Sequence, residues 1–153
     1  MSAVQLREAH ERDLPQVLAL YAQPGLDDEQ VLALDEARAL FAEFARYPHY
    51  HLYVACEADR PQAVLGSYAL LVMHNLAHRG APSAVVEDVV VDAGHRGRGI
   101  GRQMMAHAMA QARAAGCYKL ALSSNRRRAA AHAFYESLGF ERHGVSFVIE
   151  TTA

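Results

Sequence analysis

Eight residues, His95-Arg96-Gly97-Arg98-Gly99-Ile100-Gly101-Arg102, constrain what this chain can fold into more than any other stretch. Ahead of them, Ala84-Val85-Val86-Glu87-Asp88-Val89-Val90-Val91 has apolar residues on both faces, as a strand covered on two sides does. Behind them, Met104, Met105, Ala108, Met109 and Ala112 recur at helical spacing to about Ala115, and Gly116 is placed to end that helix. A strand–turn–helix unit of this kind aims the unpaired first-turn N–H groups of the helix at whatever lies above the turn. Three alternating glycines let a ligand come close to the backbone and permit positive φ. With the helix dipole, and with Arg96, Arg98 and Arg102 beside it, the turn reads as an anion site suited to phosphate.

The spacing narrows the ligand. A dinucleotide loop is G-x-G-x-x-G with an acidic residue at the end of the next strand. Here the glycines run G-x-G-x-G, and the next strand ends in Leu122-Ser123-Ser124-Asn125. A nucleoside-triphosphate loop needs G-x-x-x-x-G-K-[ST], which is absent. Lys+Arg 15 against Asp+Glu 17 leaves a net charge of -2, without the basic excess of a nucleic-acid binder. The phosphate partner is therefore expected to be small.

Around this centre the pattern alternates between elements. Val4 to Glu8 reads as a strand, and Arg12 to Ala22 as a helix with Asp13 as N-cap and Pro15 in its first turn. From Asp27 to Arg46, Val31, Leu34, Ala37, Leu40, Phe41 and Phe44 recur every three or four residues, a second helix opened by Asp27-Asp28-Glu29. Strands follow at His51 to Cys56 and Val64 to His74. Beyond the central unit come a strand at Cys117 to Leu122, a helix at Arg127 to Leu138 capped by Gly139, and a last strand at Val145 to Glu150. Mixed strands and helices around one sheet give an α/β (α+β) class, and 153 residues at 52% hydrophobic suit a single domain, 1–153. Two cysteines make no disulfide framework, the N-terminus has no apolar leader, and no run reaches the roughly 20 apolar residues of a membrane span. A cytoplasmic protein without membrane contact is the expectation. The nine histidines show no metal-ligand spacing, so no metal is expected.

Arg96, Gly99 and Gly101 supply R-x-x-G-x-G, which resembles the acetyl-CoA pyrophosphate loop of the GNAT superfamily of N-acetyltransferases. The resemblance extends to the strand Val85 to Asp92, the helix Gly101 to Ala115, and A-A-A-H-A-F-Y-E-S-L-G-F at Ala129 to Phe140. Glu87-Asp88-Val89-Val90-Val91 and Gly116-Cys117-Tyr118-Lys119 are similar to stretches of glucosamine-6-phosphate N-acetyltransferases, although the segment before Tyr135 is longer here. Leu122 to Asn125, Ala131 to Tyr135 and Tyr50-His51-Leu52 are similar to aminoalkylphosphonate N-acetyltransferases, which depart at Gly116 to Lys119. The resemblance implies the GNAT fold, a mixed, splayed sheet of six to seven strands with about four helices. It also implies acetyl-CoA as cosubstrate, a homodimer, and transfer of acetyl to a primary amine of a small molecule. An amino sugar phosphate or an aminophosphonate is the implied acceptor.

Roles follow from that chemistry. A primary amine is mostly protonated at neutral pH, since lysine's ordinary pKa is about 10.4, and only the neutral form attacks. Glu87 is the candidate base, acting directly or through water; its alternative is a strand carboxylate paired with an arginine. Strand alternation sends its neighbour Asp88 to the opposite face. By resemblance, Tyr135 is the acid that protonates the departing thiolate, against the alternative of a core aromatic beside Phe134. Val89, Val90 and Val91 would pair their backbone with the pantetheine amides. Arg96, Gly97, Arg98, Gly99, Ile100, Gly101 and Arg102 would hold the pyrophosphate. Asn125 either forms a turn or bonds the cofactor. Arg126, Arg127 and Arg128 form either a solvated face or a contact to the 3′-phosphate. No Ser or Cys stands in a nucleophile setting, which favours direct attack in a ternary complex. Two other readings stay open: a protein or peptide N-acetyltransferase, and a non-catalytic CoA sensor. A sensor would have no use for both Glu87 and Tyr135.

Overall fold

The computed structural model describes residues 2–26 and 30–152, in two compact units, Met1–Ala121 and Leu122–Ala153. The first unit holds a sheet in the order β1 (Val4–Glu8), β2 (Tyr50–Glu57), β3 (Arg60–Met73), β4 (Ser83–Val91), β5 (Leu120–Ala121). The first four strands pair antiparallel and β5 runs parallel to β4. Three helices accompany it: α1 (Leu14–Tyr21), α2 (Leu34–Phe44) and α3 (Ile100–Ala114). The second unit contains α4 (Ala129–Ser137). A mixed sheet and, among the described residues, four helices agree with the fold that the resemblance implies.

The sheet has five strands, not six to seven. Val145 to Glu150, expected as a last strand, forms no ladder among the described residues, and Val145, Phe147, Val148 and Ile149 are exposed. An apolar run rich in valine and isoleucine favours a strand, whereas the strand itself exists only where a neighbour supplies hydrogen bonds. Within the run from Cys117 to Leu122 the strand is limited to Leu120–Ala121, although the Tyr118 N–H also donates to the Pro82 carbonyl at 2.9 Å and the Lys119 carbonyl accepts from the Ala84 N–H at 3.0 Å. The second helix is shorter than predicted: Ala33 is extended and helix begins at Leu34, while the acidic opening Asp27-Asp28-Glu29 lies outside the described residues.

The first helix corrects a capping expectation. Glu11–Asp13 forms a single 3₁₀ turn, and Asp13 makes no side-chain cap on α1. Its carboxylate, 1% exposed, instead receives Arg7 Nη1 at 2.7 Å, Arg7 Nη2 at 2.9 Å and the His10 N–H at 2.7 Å. Arg7 Nη2 also donates to the Pro61 carbonyl at 2.8 Å, tying β1 to the start of β3.

The two sheet faces carry different cores. Leu14, Val17 and Leu20 of α1 and Ala37 of α2 pack on Leu52, Val54, Val64 and Ala69. The other face receives α3 through Ile100, Met104, Met105, Ala108 and Ala112, all buried. There Tyr53 stacks on Tyr68 at 5.3 Å, and the Tyr68 hydroxyl meets His107 Nδ1 at 2.6 Å. Burial lowers the His107 pKa, so the neutral ring, able to accept the Tyr68 proton, is the favoured form. Gly66 makes this packing close: a Cβ there would lie 2.8 Å from Met104 Sδ and 3.0 Å from the Val90 carbonyl oxygen. Gly116 at φ 77 ends α3, with the Cys117 N–H returning to the Ala112 carbonyl at 3.0 Å.

Candidate active site

The central strand is interrupted next to the candidate base, Glu87. Ala69 pairs with Glu87 and Ser67 with Val90, so two steps on β3 face three on β4. The extra residue is a β-bulge at Asp88 and Val89, with Asp88 at φ 53, a left-handed conformation that aspartate adopts more readily than most residues. The bulge resets the alternation. Glu87 and Val90 are three apart and would otherwise face opposite ways, yet both align with residues of the α1/α2 face, and Val90 packs on that core. The expectation that Asp88 points away from Glu87 by simple alternation fails for this reason. Both carboxylates are exposed. Partial burial, and then the charge of Asp88, raise the Glu87 pKa.

Beyond this point the sheet opens. β4 pairs with β5 only at Ala84–Leu120 and Val85–Ala121, so among the described residues Glu87 to Val91 have no strand on that side. Val89, Val90 and Val91 are half-buried there. The Val91 carbonyl is partly taken, receiving Gln23 Nε2 at 3.2 Å, while Gln23 Oε1 accepts the Ala93 N–H at 2.6 Å. Gln23, which the sequence did not single out, thus pins the end of β4 to the chain leaving α1.

The glycine turn follows directly. Asp92 accepts the Gly94 N–H at 3.1 Å and contacts His95 Nδ1 at 2.6 Å, shaping the turn from within. Gly97 and Gly99 have φ of 81 and 76, and a Cβ on either would meet nothing within 4 Å. Here the glycines serve backbone conformation and leave open space above it. Gly99 is the N-cap of α3 and has no side chain to accept its N–H groups. The first-turn donors of a 15-residue helix therefore face that open space. Arg96 and Arg102 are exposed beside it. Arg98 is placed differently: its Nη1 lies 3.9 Å from Glu57 Oε1, a buried carboxylate also paired with Arg60. The Ile100 side chain is core, 1% exposed, which leaves its N–H as the group it can offer a ligand.

In the second unit, Asn125 Oδ1 accepts the Arg127 N–H at 2.9 Å and the Asn125 carbonyl accepts the Arg128 N–H at 2.9 Å. Asn125 therefore builds the turn that starts α4, and Arg126, Arg127 and Arg128 are exposed around it. The neighbouring Ser124 Oγ is buried without a hydrogen-bond partner among the described residues, a polar group the sequence reading passed over. Tyr135 is buried, with Phe134 at 5.2 Å and Phe140 at 5.8 Å between ring centroids. Burial raises its pKa against a smaller opposing effect of Arg128, which keeps the phenol protonated at neutral pH. Gly139, at φ 95, closes the helix behind it.

Among the described residues no group of three or more His, Cys, Asp or Glu could hold a metal ion, and no helix is long and apolar enough to cross a membrane. Residues 7–140 match the family model described as Acetyltransferase (GNAT) family. A protein of Oryza sativa subsp. japonica named "Probable glucosamine 6-phosphate N-acetyltransferase 2" is 33% identical over 120 residues, 77% of this chain and 70% of that protein. A glucosamine 6-phosphate N-acetyltransferase of Trypanosoma brucei brucei is 35% identical over 80 residues, and the chain spans about half of its length, 52%. A solved structure from Agrobacterium tumefaciens str. C58, described as an acetyltransferase, superposes with a TM-score of 0.86 at 37% identity, covering 96% of this chain and 99% of that one.

Proposed function

Because the chain belongs to the GNAT family of acetyl-CoA-dependent acetyltransferases, we propose that it transfers acetyl to the primary amine of a small molecule by direct attack in a ternary complex. The observation that carries this reading is the opening of the sheet after Val85. An unpaired stretch of β4 runs from a carboxylate, Glu87, straight into two left-handed glycines and the bare N-terminus of α3. Strand edge, open glycine turn and helix start fit the amide-bearing arm and the pyrophosphate of CoA in that order. Val89 and Val90 offer backbone groups to the arm. Gly97, Gly99 and the N–H groups of Ile100, Gly101 and Arg102 suit the pyrophosphate, with Arg96 and Arg102 adding charge. Arg98 acts instead through Glu57, holding the turn against the end of β2.

When bound, acetyl-CoA supplies the thioester that the amine attacks. Glu87 takes the proton from the ammonium form, directly or through a water, and its raised pKa makes it a better base than an ordinary glutamate. Tyr135 holds the proton that the departing sulfur needs, and a phenol kept protonated by burial suits that role. The names of the relatives favour glucosamine 6-phosphate as a first acceptor to assay.

Replacing Tyr135 with Phe is expected to cut kcat by about 100-fold, within the range for loss of a general acid, while acetyl-CoA affinity stays nearly unchanged. Thiol release and calorimetry measure the two; full activity in the variant would return Tyr135 to a packing role. Glu87→Gln carries a pH signature. Its deficit is expected to be greatest near about pH 6.5, where the amine is hardest to deprotonate, and to shrink towards about pH 9. A loss of equal size at every pH would make Glu87 a positioning residue.

A further inference from the structure

A buried carboxylate stands behind the glycine turn. Glu57, the last residue of β2, is 6% exposed. The register of β2 on β3 shifts on both sides of Cys56, so the strand is irregular just before it. An ionised carboxylate leaves water at a high cost unless cations replace its lost hydration. Glu57 has a cation at each oxygen. Oε2 accepts Arg60 Nε at 2.8 Å, and Arg60 Nη2 as well, across the β2–β3 turn. Oε1 faces Arg98 Nη1 at 3.9 Å. Arg60 is exposed, whereas only 18% of the Arg98 side chain is. A separation of 3.9 Å exceeds hydrogen-bond length, so what joins Arg98 to Glu57 is charge, screened less there than between two solvated groups.

Through Arg98 that carboxylate reaches the middle of the turn. Arg98 lies between Gly97 and Gly99, both left-handed, and a Cβ on either glycine would meet nothing within 4 Å. Neither glycine therefore has a packing contact to hold it. Upstream, Asp92 fixes the turn by accepting the Gly94 N–H at 3.1 Å. Downstream, the buried Ile100 side chain fixes the start of α3. Between these anchors the backbone has the freedom that glycine confers, and the ion pair of Arg98 with Glu57 joins it to the sheet. A loop ordered before its ligand arrives loses less freedom on binding, and the difference appears as affinity.

We propose that Glu57 is a positioning residue for the cofactor: by holding Arg98 it fixes the glycine turn in the conformation that receives the pyrophosphate. This rests on the acetyltransferase reading above. Calorimetric titration with CoA reads the effect without need of an acceptor. Glu57→Gln keeps the shape of the side chain and removes the charge that acts across 3.9 Å. It is expected to raise the CoA dissociation constant about 10-fold. Arg60→Ala breaks the other half of the network and is expected to leave the constant within about twofold, which a loss of general stability at this corner would not do. In an Arg98→Ala background, Glu57→Gln is expected to weaken CoA no further, because its effect passes through Arg98. Glu57→Asp keeps the charge but withdraws it by one methylene, and a loss of about threefold is expected; it is read by the same criteria if Glu57→Gln does not fold. Three results overturn the proposal: an unchanged constant, tighter binding, as if Glu57 competed with the pyrophosphate for Arg98, or an undiminished loss when Arg98 is absent. Failure of the parent protein to bind CoA would overturn the acetyltransferase reading instead.

Discussion

Replacing Gly99 with glutamate is expected to abolish CoA binding, raising the dissociation constant by at least about 100-fold, or about 2.7 kcal/mol. Two effects combine. Gly99 sits at φ 76, where an L side chain costs roughly 1–2 kcal/mol and the turn would reshape to relieve it. The new carboxylate would also stand at the start of α3, the place best suited to an anion, and compete there with the pyrophosphate. Gly99→Ala separates the two, since it brings the strain without the charge, and a loss of about tenfold or less is expected. Calorimetry with CoA reads both variants. Unchanged affinity in Gly99→Glu would remove the glycine turn from the cofactor site.

Asp13→Ala is expected to cost about 3–5 kcal/mol of stability and to lower Tm by roughly 10 °C. The loss exceeds that of a surface pair because the Arg7 guanidinium would be left largely buried with its charge uncompensated. Replacing both partners by apolar residues, Arg7→Met with Asp13→Leu, should cost much less than the single change. Circular dichroism melts of the two variants and the parent protein provide the comparison, and equal losses in single and double variants would dismiss the coupling. The pair also sets an acid limit. Burial pushes the Asp13 carboxyl up, but Arg7 and the His10 N–H more than reverse this, so its pKa is lowered on folding. Its contribution is complete above the ordinary carboxylate value of about 3.9 and is lost as pH falls through the lowered one.

The strand–turn–helix centre was legible in the sequence because its signals are local. Valines on both faces, glycines at the turn and a methionine–alanine stripe each report on residues next to them. The features that aim the site were not legible, because each depends on a distant partner. The bulge at Asp88 is defined only by the register of Ser67 and Ala69 on β3, and it decides which face Glu87 occupies. Arg98 stands in the same basic turn as Arg96, yet it lies 3.9 Å from Glu57, some forty positions earlier, a contact no local pattern reports. Asp13 had the residue type of a helix cap, and an arginine on the neighbouring strand claimed its carboxylate instead. Val145 to Glu150 shows the converse: its apolar, β-branched run was plain, but among the described residues no strand pairs with it.

Gly66 acts as a spacer by omission. α3 packs on β3 across the carbon that residue lacks, with Met104 Sδ and the Val90 carbonyl oxygen occupying the ground a methyl group would claim. A larger residue would press on Met104 Sδ, which can give way, and on the Val90 carbonyl oxygen, which is backbone and cannot do so without moving β4. A shift of β4 there would alter the step between the glycine turn and Glu87, although neither had been touched. The spacing between the start of α3 and Glu87 thus depends on a residue of β3 that belongs to neither.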